Sequence, residues 1–254
     1  MKIIAVIPCR MNSVRFPGKP LASILGQPMI SHVYRGTAAS PLLTRVIAAT
    51  DSTEIYDTVR SFGGEAFLTR ADHRTGTDRI CEVIDELEKK SPEPVCDIVL
   101  NIQGDEPLIC PELIEQLTAP FLSDSKAVMT TLKKKIISDN DVTNPNIVKV
   151  VTDRSGRALY FSRYPVPYAS HTEGPSKNIL RYRHIGMYGF TLSFLRTFAS
   201  LAPGVLEKSE SLEQLRALEN GFPIHVSETT CDTVDVNIPE DVFFAEKCLR
   251  EKKY

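Results

Sequence analysis

Tryptophan is absent from this sequence, as is any apolar run approaching the roughly 18 to 20 residues needed to cross a bilayer. The short apolar stretch at the N-terminus carries one lysine, has no small-residue cleavage site and meets Pro8 too soon to act as a signal peptide. An excess of charge of one sign is also lacking. With a formal net charge of −2, nothing global draws the chain toward nucleic acid or an anionic membrane, and neither is expected as a partner. Cys9, Cys81, Cys96, Cys110, Cys231 and Cys248 are scattered, with no C-x-x-C pair and no histidine at a zinc spacing. A disulfide scaffold and a structural zinc site are therefore set aside, and free thiols in a reducing, cytoplasmic compartment are expected. No G-x-G-x-x-G fingerprint occurs. Gly18-Lys19 is followed by Pro20 rather than Ser or Thr, so the magnesium-binding hydroxyl of a Walker loop is missing too.

What is present is an ordinary globular composition, 42% hydrophobic and 24% charged over 254 residues. Strand-like runs at 2–7, 45–50, 65–69 and 97–102 alternate with helix-like segments at 28–40, 53–62, 77–90 and 111–122. The third helix shows Ile80, Val83, Ile84 and Leu87 at i, i+3, i+4 and i+7. Such alternation predicts an α/β fold of three αβα layers around a mainly parallel sheet, with ligands at the carboxyl ends of the strands. The second half changes character. A hairpin over 146–162, turning at Asp153-Arg154-Ser155-Gly156, precedes a Pro-rich loop and a strand at 183–190. Helices are expected over 191–201, 210–220 and 239–252, with a strand at 222–228. The expectation is a single domain over 1–254 with an antiparallel insertion around 145–190.

The loops at the strand ends carry the candidate chemistry. Between Pro8 and Pro20, Arg10, Arg15 and Lys19 surround Gly18, with Ser13 among them. Such cations suit a polyphosphate, since arginine gives two-pronged bonds to phosphate oxygens; a solvated loop paired to nearby acids is the plainer reading. "NIQGDEP" puts Asp105 and Glu106 at the end of a buried strand, where carboxylates suit a hard cation such as magnesium. Glu106 is the candidate N-cap of the next helix, which leaves Asp105 as the ligand. Asp235 and Asn237 stand two apart and fall on one side if extended. Glu240 and Asp241 follow Pro239 at a helix start and are read as structural. "RADHRTGTDR" offers Arg74, Thr75 and Gly76 for a base or ribose, or simply a loop closed by a Thr77 N-cap; His73 alone carries little weight.

Taken together, "VIPCRMNSVRFPGKPL", "TRADHRTGTDR", "NIQGDEP", "NPNIVKVV", "ALYFSR", "RHIGMYGF" and "LEQLRAL", in this order from residue 3 to about 245, resemble the 3-deoxy-manno-octulosonate cytidylyltransferases, or CMP-Kdo synthetases, of lipopolysaccharide synthesis. The resemblance implies the nucleotide-diphospho-sugar transferase fold, a homodimer formed through the antiparallel part, and a magnesium-dependent reaction of CTP with Kdo giving CMP-Kdo and pyrophosphate. It implies that Arg10, Ser13, Arg15 and Lys19 cradle the triphosphate, and that Pro8, Arg74, Thr75 and Gly76 contact cytidine. Gln103 and Asp105 become the sugar-orienting and metal-binding pair, while Arg163, His184, Tyr188, Glu213 and Gln214 hold Kdo. Arg10, Lys19 and Asp105 are the expected catalytic residues.

Two positions depart from the family pattern. Asn237 stands where a second metal-binding Asp is expected, with Asp235 two residues upstream; the full charge of Asp235 favours it as the ligand. Tyr168 occupies the place of a frequent Trp after "PVP". The implied mechanism is in-line attack of the sugar's anomeric hydroxyl on the α-phosphorus, driven by positioning and charge neutralisation without a side-chain base. A sialic-acid cytidylyltransferase, a glycosyltransferase of related fold and a non-catalytic nucleotide-binding module are the rivals. The three-cation loop together with Asp105 weighs against the last two.

Overall fold

The computed structural model of the chain describes residues 1–12, 15–168 and 180–251. It divides into two compact units, Met1–Glu115 with Gly189–Ala199 and Asp232–Tyr254, and Gln116–Tyr188 with Ser200–Cys231. The strands with antiparallel pairing expected at 145–190 begin in the second unit, which also takes in residues well outside that span.

The first unit is built on parallel strands. β1 (Ile3–Cys9) lies between β4 (Arg45–Thr50) and β6 (Ile98–Asn101), pairing Ile4 with Arg45 and Ile3 with Ile98, and β4 continues to β5 (Ala66–Leu68). Ile3 to Ile7 and all of β6 are buried, as expected of strands covered on both faces. A two-stranded ribbon, β2 (Ser23–Ile24) with β3 (Gln27–Pro28), precedes helix α1 (Met29–Ala38). Helix α2 (Thr53–Ser61) is capped by Ser52, whose hydroxyl accepts from Ile55 N–H at 3.3 Å. Helix α3 (Gly76–Glu88) buries Ile80, Val83, Ile84 and Leu87, the face its periodicity predicts. Its cap is Thr75 rather than Thr77. Thr75 and Asp78 form a reciprocal capping box, which Thr77 cannot join because it already lies inside the first turn.

Helix α4 (Pro111–Ser123) leads into the second unit, where β7 (Met129–Lys135) pairs in parallel with β11 (Ile224–Thr229). Strand β7 escapes a reading by apolar alternation because Thr130 and Thr131 are fully buried, with hydroxyls bonded to carbonyls such as Leu117 O at 2.7 Å. After the short helix α5 (Asp139–Thr143), β8 (Lys149–Thr152) and β9 (Ala158–Ser162) form the expected hairpin. Asp153 Oδ1 closes its turn by accepting from the N–H groups of Ser155 and Arg157 at 2.8 Å each. Strand β10 (Tyr182–Thr191) runs antiparallel to β8. It leads to helix α6 (Leu192–Ser200), where Phe194 and Phe198 cluster with Phe190.

The helix expected over 210–220 is in fact two, α7 (Val205–Glu210) and α8 (Leu215–Glu219). Ser211 adopts φ 53 between them, a left-handed cap that ends the first helix. The final helix is α9 (Glu240–Glu251).

One polar group anchors the second unit. Lys149 is 0% exposed, and its ammonium donates to the carbonyls of Asn144 (3.0 Å), Ile147 (2.7 Å) and Arg163 (2.5 Å). Burial, and then the nearby Arg163, push its pKa below the usual lysine value. Lys149→Met fills the space but removes the donor that the three carbonyls share. It should destabilise the chain by about 2–4 kcal/mol, read as a lower urea midpoint at unchanged slope; an unchanged midpoint would refute the anchoring role.

Candidate active site

Because β1, β4 and β6 are parallel, their carboxyl ends gather the loops that follow them. Pro8 sits at the crowded centre. A Cβ on Gly76 would lie 3.2 Å from Pro8 Cγ, and one on Gly104 would lie 3.1 Å from Pro8 O, so these glycines let α3 and the loop after β6 close onto β1. A cavity of about 430 Å³ opens there, lined among others by Arg10, Arg15, Lys19, Arg74, Gln103, Asp105 and Asn237. All its lining residues belong to the first unit.

Two ion-dipole and ion-ion contacts organise the cavity. Lys19 Nζ donates to Asp105 Oδ2 at 2.5 Å, with 13% and 28% of their side chains exposed. Arg15 donates to Asn237 Oδ1 at 2.8 Å. Lys19 and Arg15, two of the three cations of the expected phosphate loop, thus each grip one of the expected metal donors. Val236 N–H bonds Asp105 O at 3.0 Å, which brings the C-terminal segment beside the end of β6. Asp241 Oδ2 then accepts from the N–H groups of Asn237 (2.7 Å) and Ile238 (3.0 Å), a capping role that also fixes Asn237. Asp235, preferred on charge, is exposed and is not part of the lining, whereas Asn237 lines the cavity. Glu106 is fully buried and lies five residues before α4 begins, too early for the N-cap role expected of it.

Asp105 and Asn237 offer one carboxylate and one carboxamide oxygen, hard donors that suit magnesium. Among the described residues no group of three or more His, Cys, Asp or Glu is placed to hold a metal. A cation held here would take its remaining ligands from substrate oxygens and water, as magnesium commonly does.

The loop from β5 to α3 forms another wall. His73, Arg74, Thr75 and Gly76 line the cavity together with the buried Arg79. Arg79 bonds Asp51 at 3.1 Å and also the Thr69 hydroxyl, tying the ends of β4 and β5 to the helix. His73 is held by Glu82. His73 lines the wall beside the Arg74, Thr75 and Gly76 with which the sequence groups it, whereas Arg79 and Glu82 were not expected at the site. Arg79 alone had a signal, an arginine beside the apolar stripe of α3. Cys9 also lines the cavity, but burial pushes its thiol up to about 12, so it remains a protonated packing group.

Gln103 lines the cavity and donates to Asn101 Oδ1 at 3.2 Å. The other residues expected to hold a sugar belong to the second unit. There Tyr188 OH donates to Gln214 Oε1 at 3.0 Å, and its ring lies 5.5 Å from His184. The Thr131 hydroxyl lies 2.7 Å from Met187 O and 2.9 Å from His184 Nε2; donating to the carbonyl, it accepts from the imidazole. Burial, and then the charge of Glu213, raise the Tyr188 pKa, so its phenol stays protonated. Arg163 donates to the carbonyls of Glu210 (2.6 Å), Pro145 (3.0 Å) and Ser211 (3.3 Å), which occupies three of its five N–H groups. Ser13 lies outside the described residues, and Tyr168 is exposed.

Comparison with known proteins agrees with the fold. The cytidylyltransferase family model matches residues 4–230. A 3-deoxy-manno-octulosonate cytidylyltransferase of Pelobacter propionicus is 49% identical over 98% of both chains, and one of Geobacter metallireducens is 47% identical over 95% of both. A solved structure of CMP:2-keto-3-deoxy-manno-octonic acid synthetase complexed with CTP superposes with a TM-score of 0.90 at 35% identity, covering 100% of each chain. A 4-diphosphocytidyl-2C-methyl-D-erythritol synthase of Anaerococcus prevotii shares the fold alone, at 15% identity and a TM-score of 0.61 over 98% of this chain and 99% of that one. The chain belongs to the cytidylyltransferase family, among the 3-deoxy-manno-octulosonate cytidylyltransferases.

Proposed function

We propose that this chain joins CTP and Kdo to give CMP-Kdo and pyrophosphate, a step that supplies an activated sugar acid for lipopolysaccharide. The observation that carries the reading is the single cavity in which Arg10, Arg15 and Lys19 meet the oxygen donors Asp105 and Asn237. The relatives are named for this activity, and the solved structure of the 35% identical synthetase is described as complexed with CTP.

The anomeric hydroxyl oxygen forms a bond to the α-phosphorus as the α–β phosphoanhydride breaks. The electron pair leaves with pyrophosphate and the hydroxyl proton passes to solvent. Lys19, Arg10 and Arg15 neutralise the departing pyrophosphate, where charge develops. Lys19 must exchange its Asp105 partner for phosphate oxygens to do so, and that exchange releases the carboxylate. Asp105 and Asn237 would hold magnesium, which when bound would supply charge neutralisation and lower the pKa of the attacking hydroxyl. Gln103, on the cavity wall, orients the sugar acid. The protein acts as a homodimer through the antiparallel strands of the second unit, a reading supported by the exposure of Leu159, Tyr164 and Leu180 there. Free thiols at all six cysteines support a cytoplasmic setting.

Pyrophosphate release with CTP and magnesium is expected with Kdo and should fall sharply with sialic acid; no release with Kdo overturns the reading. Asp105→Asn should lower kcat by about 100-fold or more at an unchanged melting temperature, and near-normal turnover would remove its metal role. Asn237→Ala should raise the magnesium concentration for half-maximal rate by about tenfold, whereas Asp235→Ala should leave it within about twofold. The reverse order would return the ligand role to Asp235.

A further inference from the structure

Glu82 takes no part in lining the cavity, yet it holds the wall that does. Its side chain is 22% exposed, on the second turn of α3, and it bonds the Nε2 of His73, whose side chain is 7% exposed. Its two oxygens also accept the Arg70 N–H, at 3.3 and 3.1 Å. Arg79, one turn earlier, holds the Thr69 hydroxyl and reaches Arg70 O at 3.5 Å, and the Thr75–Asp78 capping box closes the far end of the loop. Each of these anchors of the 69–75 segment stands on α3, and Glu82 is the one that reaches the middle of it.

The bond also fixes a tautomer. A carboxylate only accepts, so the proton of a neutral His73 sits on Nε2 and Nδ1 is left as an acceptor. An acceptor on the wall suits the exocyclic amine of cytosine and rejects the keto oxygen that uracil carries in its place. A carboxamide at position 82 offers either an oxygen or an NH₂ group and dictates neither tautomer.

We propose that Glu82 is the positioning residue for nucleobase recognition: it orients His73, sets its tautomer and holds the loop that presents Arg74, Thr75 and Gly76. The inference rests on the reading that this cavity takes CTP.

The test compares the parent with Glu82→Gln and His73→Ala, measuring KM for CTP and for Kdo, the CTP-over-UTP preference in kcat/KM, melting temperature and calorimetric CTP binding. Glu82→Gln should raise KM for CTP about tenfold and lower the CTP preference by about as much, while KM for Kdo stays within about twofold. His73→Ala should show the same split, and the double variant should be no worse than His73→Ala alone. Unchanged CTP KM and base preference in either variant would overturn the proposal, as would an equal rise in both KM values. A parent that binds no CTP refutes the reading of the cavity itself, whereas equal CTP binding by parent and Glu82→Gln refutes only the role of Glu82.

Discussion

The ion pair between Lys19 and Asp105 is the contact on which the site depends. Its members come from loops after β1 and β6, strands that lie side by side in parallel, so sheet register alone brings the two loops together. Both charges are partly withdrawn from water, which is costly for either alone. In the absence of ligand each satisfies the other, and the Arg15–Asn237 bond does the same for the second pair. A triphosphate arriving with a divalent cation would replace both contacts in kind, anion for carboxylate and cation for ammonium. The cationic loop and its oxygen partners are therefore one electrostatic unit rather than two neighbouring features.

The packing around Pro8 makes this possible. Gly76 and Gly104 admit two backbones within about one van der Waals contact of the strand end. A side chain at either position would push α3 or the Asp105 loop outward, and an ångström of displacement is enough to lose a charged hydrogen bond. The capping box at Thr75 and the grip of Asp241 on Asn237 then fix the two remaining walls through backbone N–H groups. The positioning of the site is thus paid for mostly by local backbone bonds, which tolerate changes elsewhere in the chain.

Much of this was legible in the sequence because its signals are local. The periodicity of Ile80, Val83, Ile84 and Leu87 located α3, and the continuous apolar run of β1 located a strand buried on both faces. Strand β7 was missed because Thr130 and Thr131 hide their polarity in hydrogen bonds that only the fold supplies. The break at Ser211 was missed because a left-handed serine looks like any other serine in a helical pattern. At the site, the cationic loop and Asp105 were visible as residue types at strand ends. His73 and Asn237 were visible as residue types too, but their partners, Glu82 nine positions away and Arg15 more than two hundred away, were not, since no spacing rule reports such pairings.

The charge balance of the cavity gives the Asn at 237 a physical sense. Arg10, Arg15, Lys19, Arg74 and Arg79 line it, against Asp105 as the one carboxylate among the lining residues. Arg79 is already matched by Asp51, which leaves a clear positive excess for a polyanion. An aspartate at 237 would cancel part of that excess and strengthen the protein's own hold on a divalent cation. A carboxamide keeps an oxygen donor and leaves the positive field intact, and a divalent cation at this place would be held more by the oxygens of a nucleotide arriving with it.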